Sequence, residues 1–213
     1  MHWNVNFHPF IHTGQIKTIT MKTRLLASPW VKSPMTQETA EAIELLKDDV
    51  WKEASILFAA EREAKLKSGK SAPKGMQRYL NDIIKNRFTS NGWWGGAGYF
   101  FKKETWVRVT FRHQMSLGSD ILDAIKVCKK EGMRQAVILA ANRKTLDIIS
   151  PNDAAAIVSF EKLEREIMSL NGALDIPLLY GELTQLSSAS NDINHELRKA
   201  RPRDISIPNS NLE

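Results

Sequence analysis

The chain has 213 residues, 42% hydrophobic and 25% charged, enough for one domain, or one domain with an appendage, and for a core without disulfides or a structural metal. That composition excludes a wholly disordered chain, no apolar run approaches the roughly 20 residues of a membrane helix, and the single cysteine, Cys128, excludes an internal disulfide and a Cys-based zinc site. Lys plus Arg number 30 against 24 for Asp plus Glu, a net +6 compatible with nucleic acid, and residues 62–87 alone hold eight basic and two acidic residues, the whole formal excess.

The start, Met1 to Pro9, has no basic region followed by an apolar one, so no secretory signal is expected, and the cysteine usage makes a reducing cytoplasm the expected location. Ile16-Lys-Thr-Ile-Thr-Met-Lys-Thr23 alternates as a strand does, and Ser33-Pro34 breaks the chain. Thr36 is placed to N-cap a helix, with Gln37 and Glu38 in its first turn. Ala40, Ile43, Leu46, Val50, Ala54, Leu57 and Phe58 recur in steps of three and four, which predicts one long helix over about 37–66. A basic loop, Lys67 to Gly75, precedes a helix over about 75–88 that buries Tyr79, Leu80, Ile83, Ile84 and Phe88 and ends at Asn91-Gly92.

Trp93-Trp-Gly-Gly-Ala-Gly-Tyr99 reads as a tight turn, since it lacks the Lys-Ser/Thr of a phosphate loop and the spacing of a dinucleotide fingerprint. In Trp106-Val-Arg-Val-Thr-Phe-Arg112, the side chains of Val107, Val109 and Phe111 share one face of a strand and those of Arg108, Thr110 and Arg112 the other. Ser119-Asp120 is expected to cap a helix to about Glu131, and Ala136-Val-Ile-Leu-Ala-Ala141 reads as a buried strand. Ser150-Pro-Asn-Asp153 is expected to cap the next helix, carrying Ile157, Phe160, Leu163, Ile167 and Leu170, and Pro177 to Leu183 reads as a final strand. Residues 185–213 lose the pattern and read as a polar tail with a basic cluster at Arg198 to Arg203. Helices followed by alternating strands and helices predict an α/β domain around a mixed sheet.

Catalytic signatures are few. His2, His8, His12, His113 and His195 have no metal-ligand spacing, no Gly-x-Ser-x-Gly elbow is present, and Cys128 sits mid-helix on a patterned face, as inert buried cysteines do. Four elements carry a resemblance: Phe101-Lys-Lys-Glu-Thr-Trp-Val-Arg-Val-Thr-Phe111, Glu131-Gly-Met-Arg-Gln-Ala-Val-Ile-Leu139, Ser159-Phe-Glu-Lys-Leu-Glu-Arg-Glu-Ile167 and Asp175-Ile-Pro-Leu-Leu-Tyr-Gly181. In order and spacing these resemble the BglII/BstYI group of type II restriction endonucleases, with the PD-(D/E)XK nuclease fold, across about residues 36–184.

The resemblance implies a restriction-endonuclease-like mixed sheet with a helical amino-terminal half, and it implies a DNA partner. It divides the chain into an N-terminal segment 1–35, a core 36–184 and a tail 185–213. In such enzymes an Asp on one strand and a Glu, followed two residues on by Gln, on the next hold a divalent metal that activates water. Here the Glu position falls on Arg108, the Gln position on Thr110 and the Asp position on Tyr99. An arginine beside a dication disfavours Mg²⁺. The first reading is therefore a DNA-binding pseudonuclease without a cofactor, in which Arg108 contacts a DNA phosphate. It would act as a homodimer or as a subunit of a larger bacterial defence or mobile-element complex, cleavage being supplied elsewhere. The amino-terminal helical stripe Ile43 to Phe58 would serve dimerisation, as in the family.

The resemblance also implies duplex DNA contacts at Arg112, His113 and Gln114 after the central strand and at Asn152 in the loop before the next helix. Asn142, Arg143 and Lys144 form a basic loop tip, and Lys67, Lys70 and Lys74 suit phosphates. Two other readings are an active Mg²⁺-dependent endonuclease with carboxylates relocated to Glu104, Asp120 or Asp123, and a protein-interaction module that kept the fold without DNA.

Overall fold

In the computed structural model, residues 20–27, 34–47, 49–170 and 172–186 are described. Six strands form one mixed sheet: β1 (Thr20–Ala27), β2 (Trp94–Gly96), β3 (Tyr99–Lys102), β4 (Thr105–Thr110), β5 (Gln135–Ala141) and β6 (Leu178–Leu186). The order is β1-β6-β5-β4-β3-β2. β4, β5 and β6 run parallel in the middle, and β1, β3 and β2 are added antiparallel to their neighbours. Six helices cover the faces: α1 (Gln37–Leu45), α2 (Asp49–Lys67), α3 (Gln77–Ser90), α4 (Leu117–Lys129), α5 (Arg143–Ile149) and α6 (Phe160–Ser169). The α/β class and the mixed sheet agree with expectation.

Alternation along β4 divides the molecule. Val107, Val109 and Phe111 join Val137, Leu139, Leu46, Trp51, Leu80 and Phe88 in one core under α1, α2, α3 and α5. Trp106 joins Ala136, Ile138, Tyr180, Leu117 and Leu163 in the other, under α4 and α6. Both faces of the central strands are covered, so β4 and β5 are buried at every position. At the amino ends of these strands Thr36 caps α1, accepting from Thr39 N–H at 3.1 Å, while Gln135 Nε2 donates to the Pro34 carbonyl at 2.8 Å. These bonds fasten α1 to the sheet.

Several boundaries differ from the sequence reading. The expected long helix is two helices: α1 is closed by Leu46, whose N–H donates to Ile43 and Glu44 carbonyls, and α2 begins at Asp49. Both helices still bury one stripe, Ala42 and Leu46 and then Val50, Trp51, Ala54 and Phe58. That stripe is therefore occupied by the chain's own core, and the exposed apolar side chains of α2 are Ile56, Leu57 and Leu66.

α4 starts at Leu117, so Asp120 lies inside it, facing inward, and does not cap it. Residues 151–156 form turns, and α6 starts at Phe160 under a Ser159 cap. The intervening chain is held by the segment after β4, through Val158 N–H to the Arg112 carbonyl at 2.9 Å and a bridge between His113 and Ile157. β1 falls inside the expected 1–35 segment and pairs along its whole length with residues 179–186 of β6. The expectations for residues 16–19, His2, His8, His12, His195 and the basic cluster at 198–203 lie outside the described residues.

Candidate nucleic-acid interface

Three segments meet where β4 and β5 end. Gln114 N–H donates to the Ala156 carbonyl at 2.6 Å, tying the segment after β4 to the 151–156 turns. Gln77 Nε2 donates to the Phe111 carbonyl at 2.7 Å, and Met76 N–H to the Ile149 carbonyl at 2.7 Å, bringing the basic loop before α3 to the same end. Lys162 Nζ from α6 reaches the Gln114 Oε1 at 2.5 Å and the Ala155 carbonyl at 2.8 Å. Carboxyl ends of parallel strands are where α/β folds place ligands, because the loops there converge without contributing to the sheet.

The expected contact residues divide by what they already touch. Arg112, His113, Gln114, Lys144, Asn152, Lys70 and Lys74 are exposed. Asn142 is buried: its Oδ1 caps α5 by accepting from Thr145 N–H at 2.8 Å, and its Nδ2 donates to Glu182 and Thr184 at 2.9 and 3.1 Å. It is a structural residue, so the expected loop tip reduces to Arg143 and Lys144, with Arg143 paired to Asp147 at 3.1 Å. Lys67 pairs with Glu63 at 2.6 Å, one turn away on α2.

A cleft of about 300 Å³ opens beside this end, lined by Lys65, Lys74, Arg78, Tyr79, Ser150 and Asp153. On its wall Glu61 accepts hydrogen bonds from Tyr79 Oη and Arg78 and pairs with Lys65 at 2.8 Å. Hydrogen bonds from Lys65 and Tyr79 hold the Glu61 carboxyl down at about 2, while burial and the Glu61 contact push the Tyr79 phenol up to about 12. The group joins α2 to α3 and orients the loop between them.

On the α4 side of β4, Arg108 and Asp120 form an ion pair at 2.9 Å, with side chains 6% and 0% exposed. Arg112 NH1 reaches the same Asp120 Oδ1 at 2.9 Å and keeps 44% of its side chain exposed, while the Thr110 hydroxyl donates to Oδ2 at 3.1 Å. The Arg108 NH1 also donates to the Ala97 carbonyl at 3.1 Å. Arg108 was expected to face a DNA phosphate, but its guanidinium is enclosed between Asp120 and the β2–β3 turn. The exposed cation of the cluster is Arg112.

The positions where the resemblance implies metal-binding carboxylates do not fit a divalent cation. Tyr99 and Arg108 are register partners on neighbouring strands, so the two positions do sit side by side. Yet one carries a phenol, the other a guanidinium, and the carboxylate beside them, Asp120, already faces two arginines. Glu104 precedes β4 and pairs with Arg134 at 3.3 Å, at the end of the strand opposite Arg112, and Asp123 pairs with Lys126 at 3.6 Å. A six-residue strand is roughly 20 Å long, so Glu104 and Asp120 do not converge on one ion. Among the described residues no group of three or more His, Cys, Asp or Glu side chains could hold a metal.

Sequence reasoning did not single out Lys162 or Gln77, whose roles are contacts across 48 and 34 residues. No local pattern announces them. Among the described residues no helix is long and apolar enough to cross a membrane.

No protein-family model and no curated relative matches this chain. Solved structures similar to it include two of one enzyme. One is the crystal structure of restriction endonuclease BglII complexed with a DNA 16-mer, at 16% identity and a TM-score of 0.48, covering 78% of each chain. The other is the crystal structure of free BglII, at 17% identity and a TM-score of 0.40, covering 76% of this chain and 78% of that one.

Proposed function

We propose that this chain binds duplex DNA at the carboxyl ends of β4 and β5 and leaves it uncut. The observation that carries the reading is the gathering at one end of the sheet of Lys74 on the loop before α3, Arg112 after β4 and Lys144 at the start of α5, on segments tied together by hydrogen bonds. Cations on a fixed frame suit a phosphate backbone, and exposed His113, Gln114 and Asn152 beside them suit base edges. The Arg108–Asp120–Arg112 cluster supports the absence of cleavage, since it puts fixed positive charge where a metal would need carboxylates.

On this reading the protein is a DNA-binding or scaffold subunit, with any cleavage supplied by another chain of a defence or mobile-element assembly. A second copy would dock through Ile56 and Leu57, two neighbouring exposed apolar residues of α2. Affinity for a mixed-sequence duplex, measured against salt, tests the reading. Three phosphate contacts give a slope of log affinity on log salt of about −3, and Lys74→Glu or Arg112→Glu reduces its magnitude by about 1 or more. A slope near zero contradicts it.

A further inference from the structure

The β2–β3 hairpin presents a notch outside the loops described above. Register pairs Trp94 with Phe101, Gly96 with Tyr99 and Tyr99 with Arg108, so all of these lie on the α4 side of the sheet. Trp94 is 61% exposed and Tyr99 39%. Between them Gly96 contributes no side chain: a Cβ built there meets only the Lys85 Cε, at 4.0 Å. The Trp94 ring lies flat on Phe101, with centroids 4.1 Å apart and planes 9° from parallel, so one face is held and the other is open. Phe101 also supports Tyr99 edge-on at 6.0 Å.

Lys85 of α3 reaches the rim at Gly96, and behind Tyr99 the Arg108 guanidinium carbon lies 6.0 Å from the ring centre, enclosed on Asp120, which leaves Arg112 as the exposed cation on that side. Two exposed rings with a bare floor and flanking positive charge match a nucleotide, whose base offers a π face and whose phosphate is anionic.

We infer that this notch stacks an unpaired nucleobase on the open face of Trp94, the perpendicular Tyr99 ring offering it only an edge, while Lys85 contacts its phosphate, so that the chain also binds single-stranded DNA. The inference rests on the nucleic-acid reading above and extends it to a second surface. Stacking is tolerant of sequence, so the site holds a strand without reading it.

The test is a fluorescence anisotropy titration of a labelled ten-nucleotide oligothymidylate, run beside a duplex of mixed sequence. Gly96→Val fills the notch while both rings remain, and Gly96 has an ordinary φ and open space, so the substitution suits a strand. Trp94→Ala removes the platform. Each is expected to weaken single-strand binding by about tenfold or more and to leave duplex affinity unchanged. Lys85→Gln is expected to reduce the magnitude of the single-strand salt slope by about 0.7. Unchanged oligothymidylate binding by Gly96→Val, whose folding a thermal melt verifies, overturns the inference. So does duplex binding by the natural protein without single-strand binding. Failure to bind either DNA overturns the proposed function as well, which separates the two claims.

Discussion

Arg108 and Asp120 show how a single side chain settles the character of a site. A carboxylate with no exposure needs compensation, and here it comes from two guanidiniums and a hydroxyl. Removing one partner leaves a buried charge under-compensated, so Arg108→Met is expected to destabilise the fold by about 3 kcal/mol in urea unfolding. Arg112→Gln, at the exposed end of the cluster, should cost about 1 kcal/mol or less by the same measurement.

Glu61 gives the acid dependence a sign. Its folded value of about 2 lies below its ordinary 4.5, so its contribution is complete above pH 4.5 and is lost as pH falls towards 2. Glu61→Gln should therefore flatten the fall in melting temperature across that window and leave its shape above pH 5 unchanged. An identical acid limb in the variant contradicts this assignment.

At the scale of elements, β5 was legible because its apolar residues are dense and local, and its burial on both faces agrees with that pattern, whereas the alternation of β4 marked a strand without revealing that Arg108 and Thr110 are buried too. The long amphipathic helix was half legible. Periodicity runs on through Leu46 and Val50 because both halves face one core, so the hydrophobic pattern hides the break between α1 and α2. The start of α6 was misplaced because Ser150-Pro-Asn-Asp153 has good capping chemistry, and the pairing of the chain at 156–158 with the segment after β4 draws it away.

The hairpin shows the same limit. Trp93 and Trp94 are neighbours, yet Trp93 is buried against Phe88 and Trp94 faces out, which only strand register decides. Its turn depends on Ala97 and Gly98, both at positive φ, and a Cβ on Gly98 would stand 2.5 Å from the Val109 carbonyl oxygen. Gly98→Ala is expected to cost about 2 kcal/mol and to lower the melting temperature, whereas an unchanged melt would show that the turn relaxes.

For the molecule as a whole, the proposed interface was legible as residue types and illegible as geometry. The sequence marks Arg112, Lys74 and Lys144 as basic, but their gathering at one end follows from parallel β4 and β5 and from bonds across the loops. It marks Asn142 as polar without revealing that α5 and β6 use all of it. Charge at that end and a cluster unsuited to a metal together make DNA binding independent of divalent ions the central claim.

The most direct test is a titration of a mixed-sequence duplex with the intact chain, run in parallel in EDTA and in Mg²⁺, with the same samples resolved for nicks. The account predicts equal, salt-sensitive affinity in both and intact DNA throughout. Binding that requires Mg²⁺, or strand cleavage in its presence, would contradict it.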